Sequence, residues 1–484
     1  MAGARGAGIA EPLLALLRQS ASRQLALGQL ALGQSAPLPL HLPSHGRGAA
    51  LAPELRRLLR QRPGSWDLPE LPAFGGPLES HGAVAEAQRR AAKALGADAC
   101  WFGVNGASGL LQAALLGLCP PGSRVLLPRN LHRSLLHACV LGDLEPLLYG
   151  LPLDPISGHW LPPPPEHLGQ VLRAALSQGP VAALVLVDPT YQGRGADLAA
   201  LVALAHGSAG GASGLTVLVD QAHGDGSALA AGADLVVLSL QKAASGLAQS
   251  AVLLAQGPRI DHQALERSLL WLQTSSPSAL LLASCATALD DGLSAAGQRR
   301  RRRAKRRALE LRQRLEALDL PFVRNDDPLR LVLATAPMGI NGLEADAWLL
   351  ERGVIAELPE PGSITFCLGL RPPPGLERRL GRQLLALRAA LGGAPFPPFV
   401  APPFPLVASL ALPLGVAWRA QAVELPLQEA TGAIAARPLV PYPPGIPLLI
   451  PGERLDGERT SWLLDQRHQW PGQIADTLWV VAPL

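Results

Sequence analysis

The chain has 484 residues, too many for one ordinary domain and enough for about three or four. It is 48% hydrophobic, 17% charged and 4% aromatic, and its 50 Gly and 47 Pro are spread among clear apolar runs, which excludes wholesale disorder. The run RRRRRAKRR at 299–307 carries eight positive charges, so the rest of a chain of net charge +4 sums to −4. A nucleic-acid face spreads its basic residues among aromatic and polar readers; this run instead leads into ALELRQRLEAL and reads as a solvated helix start between two domains.

In chain order, residues 1–48 read as an N-terminal arm with one amphipathic helix, followed by the string HLPSHGRG. Residues 49–300 read as the major domain, in which helix and strand alternate from about residue 80. VAEAQRRAAKAL (84–95) is helical by its apolar spacing. RVLLPR (124–129), VAALVLVD (181–188), LTVLVD (215–220), ADLVVLS (233–239) and SAVLLA (250–255) are continuous apolar runs of the kind that buried parallel strands show. This pattern predicts an α/β domain whose sheet is covered on both faces, with functional groups at the carboxyl ends of the strands. Residues 301–390 read as a small α+β domain, 391–405 as a Pro-rich linker and 406–484 as a C-terminal domain. The stretch 389–418 carries no charge, but its clustered prolines would strand amide groups in lipid, so it reads as linker rather than membrane span.

Five scattered cysteines without a CxxC pair argue against a disulfide framework and against a zinc cluster, and favour a cytoplasmic protein. The N-terminus lacks the uninterrupted apolar core of a signal peptide.

Of the 42 basic residues only three are lysine: Lys93, Lys242 and Lys305. Lys242 follows a strand that ends on Ser239, and the preceding strand ends on Asp220. A lysine and a carboxylate so placed fit a pyridoxal phosphate site. The cofactor needs a primary amine that can lose its proton, which arginine does not do, and an anion beside its ring nitrogen. The Gly-rich turn of GVNGASGLLQAALLGL (103–118) opens a helix whose free amides suit a phosphate, with Ser108 adding a hydroxyl and Ser239 a second.

In this order of motifs the chain resembles the fold-type-I, pyridoxal-phosphate-dependent ornithine/lysine/arginine decarboxylases, in the short form without an N-terminal wing domain. The resemblance runs from about residue 36 into the C-terminal domain. It rests on VNGASG, PRNLHRSLLHA, VDPTYQG, VLVDQAHGDG, SLQKAASGLAQSAVLL, LQTSSPSALLLAS and PYPPGIPLLIPGE. It implies that Lys242 is the Schiff-base lysine and Asp220 the partner of the ring nitrogen, with His132 stacked on one ring face and Ala222 packed on the other. Ala107 (by its amide), Ser108 and Ser239 match phosphate-binding positions, and Thr274 and Ser275 reach the phosphate from a neighbouring subunit. His223 is either a site residue or a support for the strand end. The expected activity is decarboxylation of a basic amino acid, arginine ahead of lysine or ornithine, feeding polyamine synthesis from a homodimer or higher homo-oligomer. Glu357 and Glu453 are candidate carboxylates for the substrate's cationic side chain.

The chain also departs from the family pattern. Ser239-Leu240-Gln241-Lys242 stands where Ser-Thr-His-Lys is usual, DQAHGDG has lost a second histidine, and HLPSHG replaces His-x-Pro-Gly-His-Lys. Glutamine can hydrogen-bond but cannot titrate. These changes support a second reading, a cofactor-binding homologue with weak or altered activity. A third has residues 299–307 bind an acidic partner or nucleic acid.

Overall fold

The computed structural model describes residues 37–69, 71–208, 214–441, 445–470 and 472–482. The amphipathic helix expected near the N-terminus lies outside the described residues.

The largest element is a seven-stranded sheet of β1 (Ala99–Gly103), β2 (Arg124–Pro128), β3 (Glu145–Tyr149), β4 (Ala183–Val187), β5 (Thr216–Asp220), β6 (Leu235–Ser239) and β7 (Ala251–Ala255). Its spatial order is β1-β7-β6-β5-β4-β2-β3. Five strands run parallel. β7, expected as another parallel strand, runs antiparallel to both β6 and β1. The connection from β6 to β7 is too short for a helical crossover, so the chain doubles back. β1 and β3 were not anticipated: ACWFG and EPLLY are short and broken by Gly or Pro, with no alternation to mark them.

Continuous apolar strands follow from a sheet buried on both sides. Leu126, Leu184, Leu186, Val217, Val219 and Val236 enter one hydrophobic core. Their alternates Val125, Leu127, Val185, Leu218, Leu235 and Val237 enter the core on the opposite face. Helices α1 (Gly106–Leu118) and α2 (Arg133–Leu141) lie on the second face, where α1 packs on both α2 and helix His262–Leu272.

A second, three-stranded antiparallel sheet holds β8 (Arg330–Ala334), β9 (Leu358–Glu360) and β10 (Ser363–Cys367), ordered β9-β10-β8. Its core takes in Leu38 and Leu40 from the N-terminal arm. There Leu38–Pro39 pairs in parallel with Val354–Ile355. Helix α3 (Ala295–Glu316) carries the arginine run in its interior. Arg300 pairs with Asp291, Arg301 donates to Ala243 O at 3.2 Å, and Ala304 is buried. Arg299, Arg302, Arg303, Arg306 and Arg307 are exposed, as expected of a solvated stretch, while one face of the run is fastened to the loop that carries Lys242.

The Pro-rich segment that follows is pinned rather than free. Ala408 exchanges backbone hydrogen bonds with Leu148 of β3 (2.7 and 2.9 Å), and Phe399 stacks on Trp470. The last unit centres on the hairpin of β11 (Ala422–Pro426) with β12 (Thr477–Val481) and helix Gly457–Gln469.

Candidate active site

The carboxyl ends of β5 and β6 bring the chemistry together. Asp220 ends β5 between two parallel neighbours and is buried; its Oδ1 accepts the Ala222 amide at 3.0 Å. Burial pushes its carboxyl up, against the pull of the Ala222 amide and of Lys242. Lys242 stands in the one-turn helix Leu240–Ala243 that reverses the chain from β6 to β7. Its amine is held below the usual lysine range by burial, with Asp220 acting in the opposite sense and Arg330 in the same one.

His132 caps α2: its Nδ1 accepts the Ser134 amide at 3.3 Å, so a neutral ring carries its proton on Nε2. Burial, then Lys242 and Arg133, push the imidazole down to about 4. Gly106, at φ +71°, starts α1 in a backbone conformation that a side chain would resist. Asn105 at the cap makes no side-chain bond to the helix, which leaves the first-turn amides for a ligand.

One cavity of about 480 Å³ is lined by Ala107, Ser108, His132, Asp220, Ala222, His223, Ser239 and Lys242. Eight of the ten sequence-derived site residues thus share a single wall. Thr274 and Ser275 do not line it and are exposed, at the end of helix His262–Leu272. The same cavity is closed by Leu358 and Glu360 of the small sheet and by Gly445, Ile446 and Pro447 of the C-terminal unit. The family-specific string PYPPGIPLLIPGE therefore contributes directly; its residues 442–444 lie outside the described residues.

Of the two carboxylates proposed for the substrate side chain, Glu453 is wrongly placed. It is buried and saturated by Arg129 (2.6 Å), Arg459 (3.3 Å) and the Ile450 amide (2.8 Å). Glu357 accepts the Leu42 amide at 2.7 Å and the Tyr191 hydroxyl. Glu360 was missed. It lines the cavity, where burial would raise its carboxyl but His159, Gln192 and Ser363 hold it below its usual range. No local motif announces it, because its partners come from other elements.

Three further residues were not singled out in the sequence, although Ser44 lies in the odd HLPSHG string and Tyr191 in VDPTYQG. Ser44 ties the N-terminal arm to the lysine loop, its amide bonding Gln241 O at 2.9 Å and its hydroxyl Ala244 O at 3.0 Å. Tyr191 packs on His223 with ring centroids 4.4 Å apart. Arg330, the first residue of β8, donates to His223 Nδ1 at 2.9 Å. Gln241, in place of the family's usual histidine, faces the cavity.

The residues fit pyridoxal phosphate. A buried carboxylate raised by burial lacks a full counter-charge, which a protonated ring nitrogen supplies. Asn130 Oδ1 in the cavity wall is shielded from solvent and has no hydrogen-bond partner among the described residues, as expected of a surface made for a polar ligand.

Comparison with solved structures agrees. The constitutive lysine decarboxylase of Escherichia coli superposes with TM-score 0.70 over 97% of this chain and 81% of its own, at 18% identity. Lysine decarboxylase A of Pseudomonas aeruginosa gives 0.71 over 96% and 79%, also at 18%. The fold is that of fold-type-I pyridoxal-phosphate enzymes. In sequence, the Orn/Lys/Arg decarboxylase major-domain family matches residues 34–326 and the C-terminal-domain family residues 415–470. An arginine decarboxylase of Bacillus subtilis is 29% identical over 93% of this chain and 92% of its own; one from Halalkalibacterium halodurans is 30% identical over 89% and 91%. The chain belongs to the Orn/Lys/Arg decarboxylase family, and is a pyridoxal-phosphate-dependent decarboxylase.

Proposed function

We propose that the protein removes the α-carboxylate of a free basic amino acid as carbon dioxide, with arginine preferred over lysine or ornithine, and that the amine product feeds polyamine synthesis in the cytoplasm. The observation that carries the reading is the single cavity in which Lys242, Asp220 and His132 face Glu360 across the unit boundary. The names of the two bacillar relatives support arginine.

When bound, pyridoxal phosphate supplies an aldehyde for a lysine amine and an electron sink for the carbanion left by carbon dioxide. Lys242 is the amine that would hold it. Asp220 would keep its ring nitrogen protonated, and the Ala107 amide with the Ser108 and Ser239 hydroxyls would take its phosphate. His132, neutral at working pH, would stack on one ring face and Ala222 would fill the other. Each turnover consumes one proton at Cα, which Lys242 or His223 is placed to give. Glu360 would receive the cationic end of the substrate.

The chain as a homodimer or higher homo-oligomer, with Thr274 and Ser275 serving the neighbour's phosphate, is part of the same proposal. Both residues are exposed and close to α1, since Asn105 Nδ2 donates to Leu272 O at 2.8 Å. We assign 49–300, 301–390 and 406–484 as the three working units behind the arm 1–48. Gln241 favours one alternative, a cofactor-binding homologue with altered activity, because it removes a titrating group from the cavity wall.

Purified protein should show a visible cofactor band that Lys242→Ala abolishes, and should release carbon dioxide fastest from arginine among arginine, lysine and ornithine. A band that survives Lys242→Ala overturns the assignment of the lysine. A normal band with no carbon dioxide from any of the three favours the altered homologue.

A further inference from the structure

Arg330 reaches across from the small sheet to the loop after β5, and its contact decides the protonation of two other side chains. A guanidinium only donates hydrogen bonds and keeps its charge at any ordinary pH. Its Nη2 lies 2.9 Å from His223 Nδ1, so that nitrogen accepts and carries no proton. A neutral imidazole then has its proton on Nε2, which lies 3.3 Å from Lys242 Nζ. An N–H pointed at Nζ needs a lone pair there, and an ammonium has none. The three side chains satisfy one another in one arrangement only: charged Arg330, Nε2–H His223 and neutral Lys242.

Each member is held in place. Tyr191 lies against the His223 ring and is anchored through its hydroxyl to Glu357, which also accepts the Leu42 amide. The Arg330 carbonyl accepts from Asn325 Nδ2 at 2.7 Å, and the Arg330 guanidinium also contacts Cys367 Sγ on the paired strand β10.

We propose that Arg330 is a positioning residue for cofactor capture: acting through His223, it keeps Lys242 as the free amine that condenses with the aldehyde of pyridoxal phosphate. This rests on the reading of Lys242 as the linking lysine. In the condensation a bond forms between Nζ and the aldehyde carbon, the carbonyl oxygen leaves as water, and that water takes both amine hydrogens. An ammonium cannot begin it.

The other charges facing Lys242 divide. Asp220 from β5, and Glu357 and Cys367 from the small sheet, favour the ammonium, while Arg330 opposes it. His132, neutral at the cap of α2, faces the amine from the far side of the cavity. Arg301 and Lys305 of α3 share a smaller cleft behind it, along with Asp188, Asp225, Asp326 and Asp327. Burial and Arg330 together are set against this carboxylate pull and hold the amine toward its neutral form. Because Arg330 belongs to the small sheet and Lys242 to the large one, readiness of the amine depends on the two units being docked.

The test uses full-length enzyme stripped of cofactor, mixed with pyridoxal phosphate from pH 6 to 9, with growth of the visible band as readout. Wild type should capture the cofactor at a rate that is already near its plateau at pH 7. Arg330→Met should move the pH midpoint up by about one unit, slowing capture about fivefold at pH 6 and about twofold at pH 7, with recovery by about pH 8. Arg330→Lys, which donates only while its ammonium holds, should shift the midpoint less than Arg330→Met. His223→Phe keeps the Arg330 charge but removes the relay, so it should reproduce the upward shift; it also serves if Arg330→Met does not fold. Nitrogen NMR of labelled histidine in the stripped wild type should show His223 Nδ1 without a proton. A protonated Nδ1, or profiles unmoved in Arg330→Met and His223→Phe, would overturn the inference while leaving Lys242 as the linking lysine. Absence of any band in wild type would instead defeat the reading of Lys242 itself.

Discussion

Arg129 and Glu453 form a two-pronged ion pair closed to solvent on both sides, each side chain 1% exposed, with contacts of 2.6 and 3.2 Å. Arg129 follows β2 in the large sheet and Glu453 belongs to the C-terminal unit. The same guanidinium donates to Pro447 O and Leu448 O at 3.1 Å and lies over the Phe404 ring. Pro447 lines the cavity that holds Lys242 and Asp220, so this pair sets one of its walls.

Removing one partner of a buried pair costs about 3–5 kcal/mol, and here sets an upper bound, because Glu453 keeps Arg459 at 3.3 Å as a remaining counter-ion. Arg129→Met should therefore lower stability by up to that amount in urea denaturation. The double variant with Glu453→Leu should recover part of the loss. Equal loss in single and double variants would show that the pair is not the source.

Besides Asp220, Glu360 is the carboxylate that lines the cavity, so Glu360→Gln should raise KM for the preferred basic amino acid by about tenfold or more, with the cofactor band unchanged. One tenfold step is the loss of about 1.4 kcal/mol of substrate binding, within the range of a single charged hydrogen bond. An unchanged KM would move the search for the substrate's cation partner to Glu357.

His132 has its pKa lowered to about 4 in the fold, against about 6.5 when unfolded. Between those values the unfolded chain binds the extra proton, so stability rises with pH across the window and is lost as pH falls from about 6.5 towards 4. His223 acts in the same sense, while the raised carboxyl of Asp220 acts in the opposite one. The readout is therefore a difference: His132→Phe should flatten the fall in urea midpoint between pH 7 and pH 5 relative to wild type. Parallel slopes would refute a neutral buried His132.

Gln241→His restores the family's usual residue beside Lys242 and should raise kcat several-fold if the lost histidine serves proton delivery. The accompanying sign is a new limb in the pH–rate profile near the histidine range. A gain in kcat without that limb would point to positioning instead.

The alternating apolar runs were legible as a covered α/β sheet because burial on both faces leaves no room for polar alternation. That Asp220, Ser239 and Lys242 would meet in one cavity was legible because strand ends gather polar groups and because lysine is scarce in this chain. The antiparallel turn of β7 was not, since strand direction depends on how the chain reverses and not on composition. Glu360 and Arg330 were beyond reach, and Tyr191 was visible only inside the VDPTYQG string, with no role attached. Glu360 acts through His159 and Gln192 and Arg330 through His223, each more than 100 residues away, and an isolated Glu or Arg in a strand carries no mark of that. Glu453 shows the converse: a carboxylate in a family-specific string turned out to hold units together rather than to face a ligand.

The pairing of Leu38–Pro39 with Val354–Ile355 joins the earliest described segment to one made much later. During synthesis on a ribosome at roughly 5–20 residues per second, the first strand waits on the order of tens of seconds for its partner to emerge. Leu42, whose amide bonds Glu357, waits with it, whereas Ser44 can meet Gln241 and Ala244 as soon as that loop emerges. The loop that carries Lys242 can therefore fold well before Glu357 and the small sheet close on it, and the finished cavity dates from late in the life of the nascent chain.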